Sequence, residues 1–221
     1  RSPQVATHNF RFSEDYDLYP SGAKTKYKNN VMAIKLLKQI ELEKRTATPE
    51  EQIILARYVG WGGLANAFSS TASGWENEYQ ELKSLLTDVE YKAAMNSTIT
   101  AYYTEPDLIR HIYRALERFG FEGGPDRKIL DPGMGTGNFY SVLPEQFQGS
   151  TLFGVELDSI TGRIAKQLYP DADISIMGYE ATKFEDNSFD VILGNIPFNS
   201  VKIYDRRYND LNPYKIGRAS C

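Results

Sequence analysis

A glycine-rich segment after a short apolar run contains the first residues whose types and spacing could do chemistry. It is Asp131-Pro132-Gly133-Met134-Gly135-Thr136-Gly137, and it follows the short run KIL at 128–130. Glycines let a ligand approach main-chain atoms, and the helix expected behind them offers free N–H groups to a phosphate or carboxylate. The G-x-G-x-G spacing differs from the G-x-G-x-x-G of dinucleotide sites, and the Gly-Lys-Ser/Thr of a phosphate-binding loop is absent.

Two acids make the expected ligand more specific. Asp131 precedes the loop, and Glu156 stands near the end of the next apolar run, 152–157. The first acid can bind a cationic amino group while the helix N-terminus takes the carboxylate of the same amino acid, and the second can accept hydrogen bonds from two ribose hydroxyls. Both features fit S-adenosylmethionine. The alternatives are a tight turn without a ligand and, for Glu156 alone, a solvated strand end.

A second candidate site follows the fourth apolar run, at Gly194-Asn195-Ile196-Pro197-Phe198. The carboxyl ends of parallel strands form a common crevice, so we expect this segment beside the glycine loop. The Asn195 oxygen and a backbone carbonyl can accept both N–H groups of a planar amine and draw its lone pair toward a methyl donor. Pro197 fixes the backbone, and Phe198 offers a ring on which a base can stack. The alternative is a turn that closes the strand, with Phe198 in the core.

A third candidate lies upstream, where AYYTEP (101–106) precedes an amphipathic helix expected over 106–119. Tyr102 and Tyr103 could pack on the adenosine or methionine part of the cofactor. They could equally be buried tyrosines at the start of a helix.

The predicted secondary structure that must position these residues changes near residue 125, from helices alone to alternating strands and helices. Helical spacing of apolar residues predicts helices over 24–44, 48–58, 77–96 and 106–119. Further along, strands are predicted at 128–130, 152–157, 174–177 and 190–196, with helices after Gly137 and over 159–169. Alternating strands and helices predict a parallel α/β sheet, preceded here by a helical region.

Composition excludes several classes of protein. The chain has 221 residues, of which 41% are hydrophobic and 24% charged, as in a folded domain. No apolar run approaches the ~20 residues of a membrane span. One cysteine and two histidines predict neither a disulfide framework nor a metal site and favour a cytoplasmic protein. The net charge of -4 argues against a globally basic nucleic-acid coat protein but leaves a local basic face open.

In chain order, the motifs AYYTEP, DPGMGTGNF, GVELD and NIPF resemble those of S-adenosylmethionine-dependent DNA N6-adenine methyltransferases. The block YVGWGGLANAF (58–68), and Ile196 where that family usually has a proline, are similar to a subgroup in large methylase/helicase-like proteins of phages and conjugative elements. The resemblance covers about residues 58–212. It implies an α/β fold with a Rossmann-like class I methyltransferase sheet, preceded by a helical N-terminal region.

The resemblance also implies the site residues. The cofactor S-adenosyl-L-methionine would be held by Tyr102, Tyr103, Thr104, Asp131, Gly133, Gly135, Gly137, Asn138, Phe139, Glu156, Leu157 and Glu180. A flipped adenine of DNA would be held by Asn195, Pro197 and Phe198. Glu180 is a weaker match to the family pattern and could be a surface charge.

These observations predict a helical region over 1–100 and a methyltransferase domain over 101–221 that is truncated at its C-terminus. The family's sheet has more strands than the four expected here, so a dimer or a downstream chain would have to complete it. Two other functions stay open. The chain could be a non-catalytic cofactor- or DNA-binding fragment of a larger protein, or it could methylate another planar amine, in protein glutamine or RNA guanine.

Overall fold

The computed structural model of the chain describes residues 8–19, 21–99 and 104–195. The α-helices are α1 (Ala23–Leu42), α2 (Pro49–Ala56), α3 (Glu76–Leu85), α4 (Asp88–Asn96), α5 (Pro106–Arg118), α6 (Asn138–Ser141) and α7 (Ser159–Leu168). The strands are β1 (Lys128–Asp131), β2 (Thr151–Glu156), β3 (Asp173–Ile176) and β4 (Val191–Ile192). Within the described ranges, no helix combines the length and apolarity needed to cross a bilayer.

The four strands form one parallel sheet in the order β3-β2-β1-β4. In its register Asp131 lies opposite Gly154, and Glu156 lies opposite Ile176. The carboxyl ends of all four strands therefore meet at one edge of the sheet, which is where such sheets bind ligands. The predicted α/β fold, with a parallel Rossmann-like sheet preceded by helices, is confirmed.

The helix predicted over 77–96 is two helices, α3 and α4. Between them Leu86 is extended, and Thr87 caps α4 by accepting from the Glu90 N–H while the Glu90 carboxylate accepts from the Thr87 N–H. This reciprocal pair is a capping box, which starts a new helix. The helical spacing of apolar residues continues across this break, so the spacing alone predicts one helix where there are two.

The strand predicted over 190–196 is shorter in the structure, where only Val191 and Ile192 belong to β4. Leu193 still donates its N–H to the Leu130 carbonyl at 2.9 Å. Gly194 follows, and glycine has no side chain to pack and weakens a strand. Residues 196 onward lie outside the described residues.

The helical N-terminal part packs onto α7. The buried Gln52 side chain of α2 donates to the Leu168 carbonyl at 3.3 Å, and Arg163 of α7 pairs with Glu90 of α4 at 2.5 Å. The segment before α1 also reaches α7, because the Phe10 N–H donates to the Leu168 carbonyl at 2.7 Å. One continuous apolar core runs from these helices through α7 to the sheet. The N-terminal helices thus support the sheet indirectly, through their packing on α7.

Candidate active site

The glycine loop joins β1 to α6 and is fixed on the neighbouring strand. The Met134 N–H donates to the Val155 carbonyl at 3.0 Å, and the Gly137 N–H closes the turn onto the Met134 carbonyl at 2.8 Å. Gly135 and Gly137 have φ values of +56° and +87°, a region that favours glycine. The glycines thus allow a tight turn that ends at the start of a helix.

The same loop has an open side and a packed side. A Cβ atom built on Gly133 or Gly135 would meet no described atom within 4 Å. A Cβ atom on Gly137 would instead overlap the ring of Tyr169. Space for a ligand therefore lies over Gly133 and Gly135, whereas Gly137 is required for packing.

Asp131 is a buried acid at the end of β1. It is 1% exposed, and in the described part of the chain its carboxylate accepts one hydrogen bond, from the Gly133 N–H at 3.2 Å. Gly194 lies against it, since a Cβ atom there would be 2.5 Å from Oδ1. Burial raises the pKa of Asp131 to about 7, and the charge of Glu156 also raises it. A cation beside this carboxyl would favour its ionised form.

Glu156 ends the adjacent strand and is held by two main-chain donors. Its Oε1 accepts from the Asp158 N–H at 2.7 Å, and its Oε2 accepts from the Gly135 N–H at 2.9 Å. Burial raises the pKa of Glu156 to about 6, although these backbone hydrogen bonds lower it. Because a carboxylate can accept about four hydrogen bonds, this one can still receive two hydroxyl groups.

Asn195 reaches from the end of β4 to the start of α5. Its Nδ2 donates to the Thr104 hydroxyl at 3.0 Å, and both side chains are accessible. This contact uses the amide nitrogen and leaves the amide oxygen free of partners among the described residues. Because β4 lies next to β1, an acceptor oxygen is presented beside the strand that ends in Asp131.

Two exposed apolar side chains stand at the ends of β2 and β3. Leu157, directly after Glu156, is 75% exposed, and Met177 is 40% exposed. Apolar side chains at neighbouring strand ends suit the flat face of a purine ring. Glu180 is exposed in the turn beyond β3, and its carboxylate folds back over Gly178.

The remaining predicted residues divide into two groups. Asn138 begins α6 and is partly buried, whereas Phe139 is 4% exposed in the core and its carbonyl accepts from the Tyr113 hydroxyl at 2.9 Å. This burial favours a packing role for the Phe139 ring. Four residues lie outside the described residues: Tyr102, Tyr103, Pro197 and Phe198.

Asp158 is a supporting residue that the sequence reasoning did not single out. Its Oδ1 accepts from the Thr161 N–H at 2.8 Å and from the Thr161 hydroxyl at 2.6 Å, which caps α7. Its own N–H holds Glu156. An aspartate just before a predicted helix is a known capping signal and could have indicated this role.

A groove of about 570 Å³ lies away from the strand ends, between α1 and α3. Within it, Glu81 pairs with Lys35 at 2.6 Å and accepts from the Tyr27 hydroxyl at 2.9 Å. Those charged and polar groups already satisfy one another. We therefore place the chemistry at the strand ends, where the buried Asp131 and the partly buried Glu156 lie.

Residues 130–207 match the family model described as "Methyltransferase domain", which covers about a third of the chain. Defense against restriction protein B of Escherichia phage P1 is 27% identical over 171 residues, which are 76% of this chain and 6% of that protein. Modification methylase CviBIII of Paramecium bursaria Chlorella virus NC1A is 32% identical over 78 residues, 35% of this chain and 21% of that protein. The chain thus spans a small part of both relatives.

A solved structure of a TehB-like SAM-dependent methyltransferase from Corynebacterium glutamicum is 25% identical, with a TM-score of 0.28. The match covers 41% of this chain and 54% of that one.

The family match implies S-adenosyl-L-methionine as the cofactor. The residues at the strand ends fit it. A buried acid that accepts a single hydrogen bond from the described residues lies beside an open glycine surface, and a second acid with free acceptor capacity ends the next strand.

Proposed function

We propose that this chain, whose α/β part carries an S-adenosyl-L-methionine-dependent methyltransferase domain, methylates the N6 amine of adenine in DNA. The observation that carries the proposal is the contact of Asn195 with Thr104 beside the strand ending in Asp131. Methyl transfer to an aromatic amine needs hydrogen-bond acceptors next to the cofactor, and this amide oxygen is such an acceptor.

The strand ends supply the contacts that the cofactor needs. Asp131 takes the ammonium of the methionine part, and the carboxylate of that part lies on the open side of the glycine loop, over Gly133 and Gly135. Glu156 accepts from the ribose hydroxyls, and Leu157 packs on the adenine ring of the cofactor. Asn138, Glu180, Tyr102, Tyr103 and Thr104 stay proposed cofactor contacts on the strength of their motifs, whereas Phe139 supports the loop from the core.

The target amine is oriented by Asn195. Its Oδ1 accepts one N–H of the amine, and a main-chain carbonyl of the segment that continues through Pro197 accepts the other. Together they draw the nitrogen lone pair out of conjugation with the ring and toward the methyl donor, while Phe198 stacks on the base. Bound cofactor supplies a methyl group on a positively charged sulfur. The amine becomes acidic only after it has taken the methyl, so no strong general base is required.

DNA is the substrate that the relatives support best. One is named a modification methylase and the other a protein of defence against restriction, and restriction acts on DNA. A base in a duplex is hidden in the stack, so we propose that the adenine is flipped into the site. The division into a helical region at 1–100 and a truncated methyltransferase domain at 101–221 stays part of this proposal, as does completion of the sheet by a second copy or a downstream chain.

The test is transfer of labelled methyl groups from S-adenosylmethionine to DNA, RNA and glutamine-containing protein, followed by identification of the methylated product. We expect N6-methyladenine in DNA. Asn195→Ala should reduce transfer about 100-fold while cofactor binding stays within about twofold, because the amide touches the amine and not the cofactor.

Two other results of this experiment would each replace the proposal with a different function. Transfer only to RNA or to protein glutamine would assign another planar amine. Cofactor binding without transfer to any acceptor would assign a non-catalytic fragment.

A further inference from the structure

Gly194 lies where β4, which leads to Asn195, meets β1, which ends at Asp131. The Leu193 N–H donates to the Leu130 carbonyl at 2.9 Å, and this hydrogen bond fixes the main chain of both strands. Gly194 is the next residue on one strand, and Asp131 is the next residue on the other. The segment proposed to hold the target amine therefore runs against the acid proposed to hold the cofactor.

A side chain at Gly194 would collide with the Asp131 carboxylate. A Cβ atom built on Gly194 would lie 2.5 Å from Oδ1 and 3.3 Å from Cγ of Asp131, and 3.4 Å from Cδ of Pro132. Non-bonded heavy atoms attract at about 3.5–4.0 Å and repel strongly when they come much closer. The φ of Gly194 lies outside the left-handed region, so the backbone itself would accept an alanine. Among the described contacts of this position, the one with the carboxylate is thus what requires a glycine.

The oxygen that faces Gly194 is also the one that holds the carboxylate in place. Asp131 is 1% exposed, and its Oδ1 accepts from the Gly133 N–H at 3.2 Å. Because the strands are held by their hydrogen bonds, an added methyl group at Gly194 would move this side chain and not the main chain. Oδ1 would then leave the Gly133 N–H. That hydrogen bond lowers the pKa of Asp131, so its loss would favour the neutral form of a carboxyl that must pair with a cation.

We infer that Gly194 is a positioning residue for the ammonium of the cofactor, because its lack of a side chain leaves the Asp131 carboxylate in the place from which it can reach that group. The inference rests on the proposed contact of Asp131 with the ammonium. It gives the residue before Asn195 a role in cofactor binding, whereas Asn195 itself is proposed to bind the target amine. One short segment thus serves both the methyl donor and the methyl acceptor.

The test compares Gly194→Ala with Gly149→Ala. The φ of Gly149 also lies outside the left-handed region, but a Cβ atom there would lie 3.7 Å from Gly124 Cα, which is an ordinary contact. Calorimetric titration with S-adenosylhomocysteine should show affinity falling about tenfold in Gly194→Ala and staying within about twofold in Gly149→Ala. Thermal unfolding should show that both variants fold. An equal change of affinity in the two variants would overturn the inference.

A ligand without the amino group separates positioning from general damage. With the analogue of S-adenosylhomocysteine that lacks only this group, the loss caused by Gly194→Ala should shrink to less than about twofold. An equal loss with both ligands would overturn the inference. If the wild-type protein binds both ligands equally, the contact of Asp131 with the ammonium is wrong and the inference falls with it. These titrations use no methyl acceptor, so a failure of the proposed transfer to DNA would leave their outcome unchanged.

A second background tests whether Gly194 acts through Asp131. In Asp131→Ala, the carboxylate that would meet the new methyl group is gone, so adding Gly194→Ala should lower affinity further by less than about twofold. The unfolding midpoint, which Gly194→Ala should lower by about 3 °C in the wild-type protein, should change by less than about 1 °C in this background. A further tenfold loss of affinity in the double variant would overturn the inference, because the methyl group would then act on something other than the carboxylate.

Discussion

The ends of β1 and β2 each place an acid at the edge of the sheet, but the protein treats the two acids differently. Glu156 receives two main-chain N–H groups and is backed by the Asp158 and Thr161 hydrogen bonds. Asp131 is more deeply buried and receives one hydrogen bond from the described part of the chain. The higher pKa of Asp131, about 7 against about 6, reflects this difference.

The difference indicates two ways of preparing a cofactor site. The Glu156 carboxylate is oriented before the ligand arrives, which suits two weak hydroxyl donors whose geometry must be right. Asp131 is buried with one hydrogen bond from the described residues, so a cation that reaches it relieves a cost already present in the free protein. The buried Asp131 carboxyl thus lowers the stability of the free protein, and binding of the cofactor's ammonium offsets this cost.

The largest expected effect is that of Asp131→Asn. Cofactor affinity should fall about 100-fold, because an amide cannot pair with the ammonium. The free protein should nevertheless become more stable. A carboxyl whose pKa is raised from 3.8 to about 7 on folding destabilises the fold progressively as pH rises through that window. Urea unfolding at pH 8 should show a gain of roughly 2–4 kcal/mol, and at pH 5 less than half of it.

Glu156→Gln is the control for this prediction. Its pKa is raised less, from 4.5 to about 6, and its carboxylate accepts two main-chain hydrogen bonds that a glutamine would not fully replace. We expect a smaller gain in stability, or a loss. Equal stabilisation by both substitutions would contradict the contrast between the two strand ends.

The second prediction concerns the open side of the glycine loop. A Cβ atom at Gly133 meets no described atom and Gly133 has no positive φ, so Gly133→Ala should change the unfolding midpoint by less than about 2 °C. The added methyl would nevertheless stand where the cofactor approaches the main chain, and affinity should fall at least about tenfold. Calorimetry together with thermal unfolding measures both. Unchanged affinity in the folded variant would show that the ligand lies elsewhere.

Local signals explain which features the sequence predicted. The spacing of apolar residues predicted the parallel strands, and the turn glycines predicted the loop from Asp131 to Gly137. The helix start at Thr48 followed from a capping signal. Asp131 and Glu156 could be predicted as site residues because they end consecutive strands. The break at Thr87 was also encoded locally, in the pair with Glu90, but the apolar spacing that runs through it outweighed the capping signal.

Contacts between distant segments could not be predicted in this way. Gly194 lies against Asp131, and Met134 occupies the space that a side chain at Gly154 would need. The hydrogen bond from the Gln52 side chain to the Leu168 carbonyl joins residues 116 positions apart in the chain. Such pairs depend on how the helices dock, and neither periodicity nor spacing reports docking.

The smallest expected effect, the pH dependence of cofactor affinity, tests the contrast without any substitution. Below its pKa of about 7 the Asp131 carboxyl of the free protein is mostly neutral, so binding of an ammonium must first release its proton. Affinity should therefore rise about five- to tenfold between pH 6 and pH 7.5 and level off above that, with proton release seen as a buffer-dependent binding enthalpy. In Asp131→Asn this rise should be lost, leaving at most the weaker dependence that Glu156 contributes near pH 6. A wild-type affinity that is flat across this window would mean that Asp131 is already ionised before the cofactor arrives. The two strand ends would then differ in geometry alone.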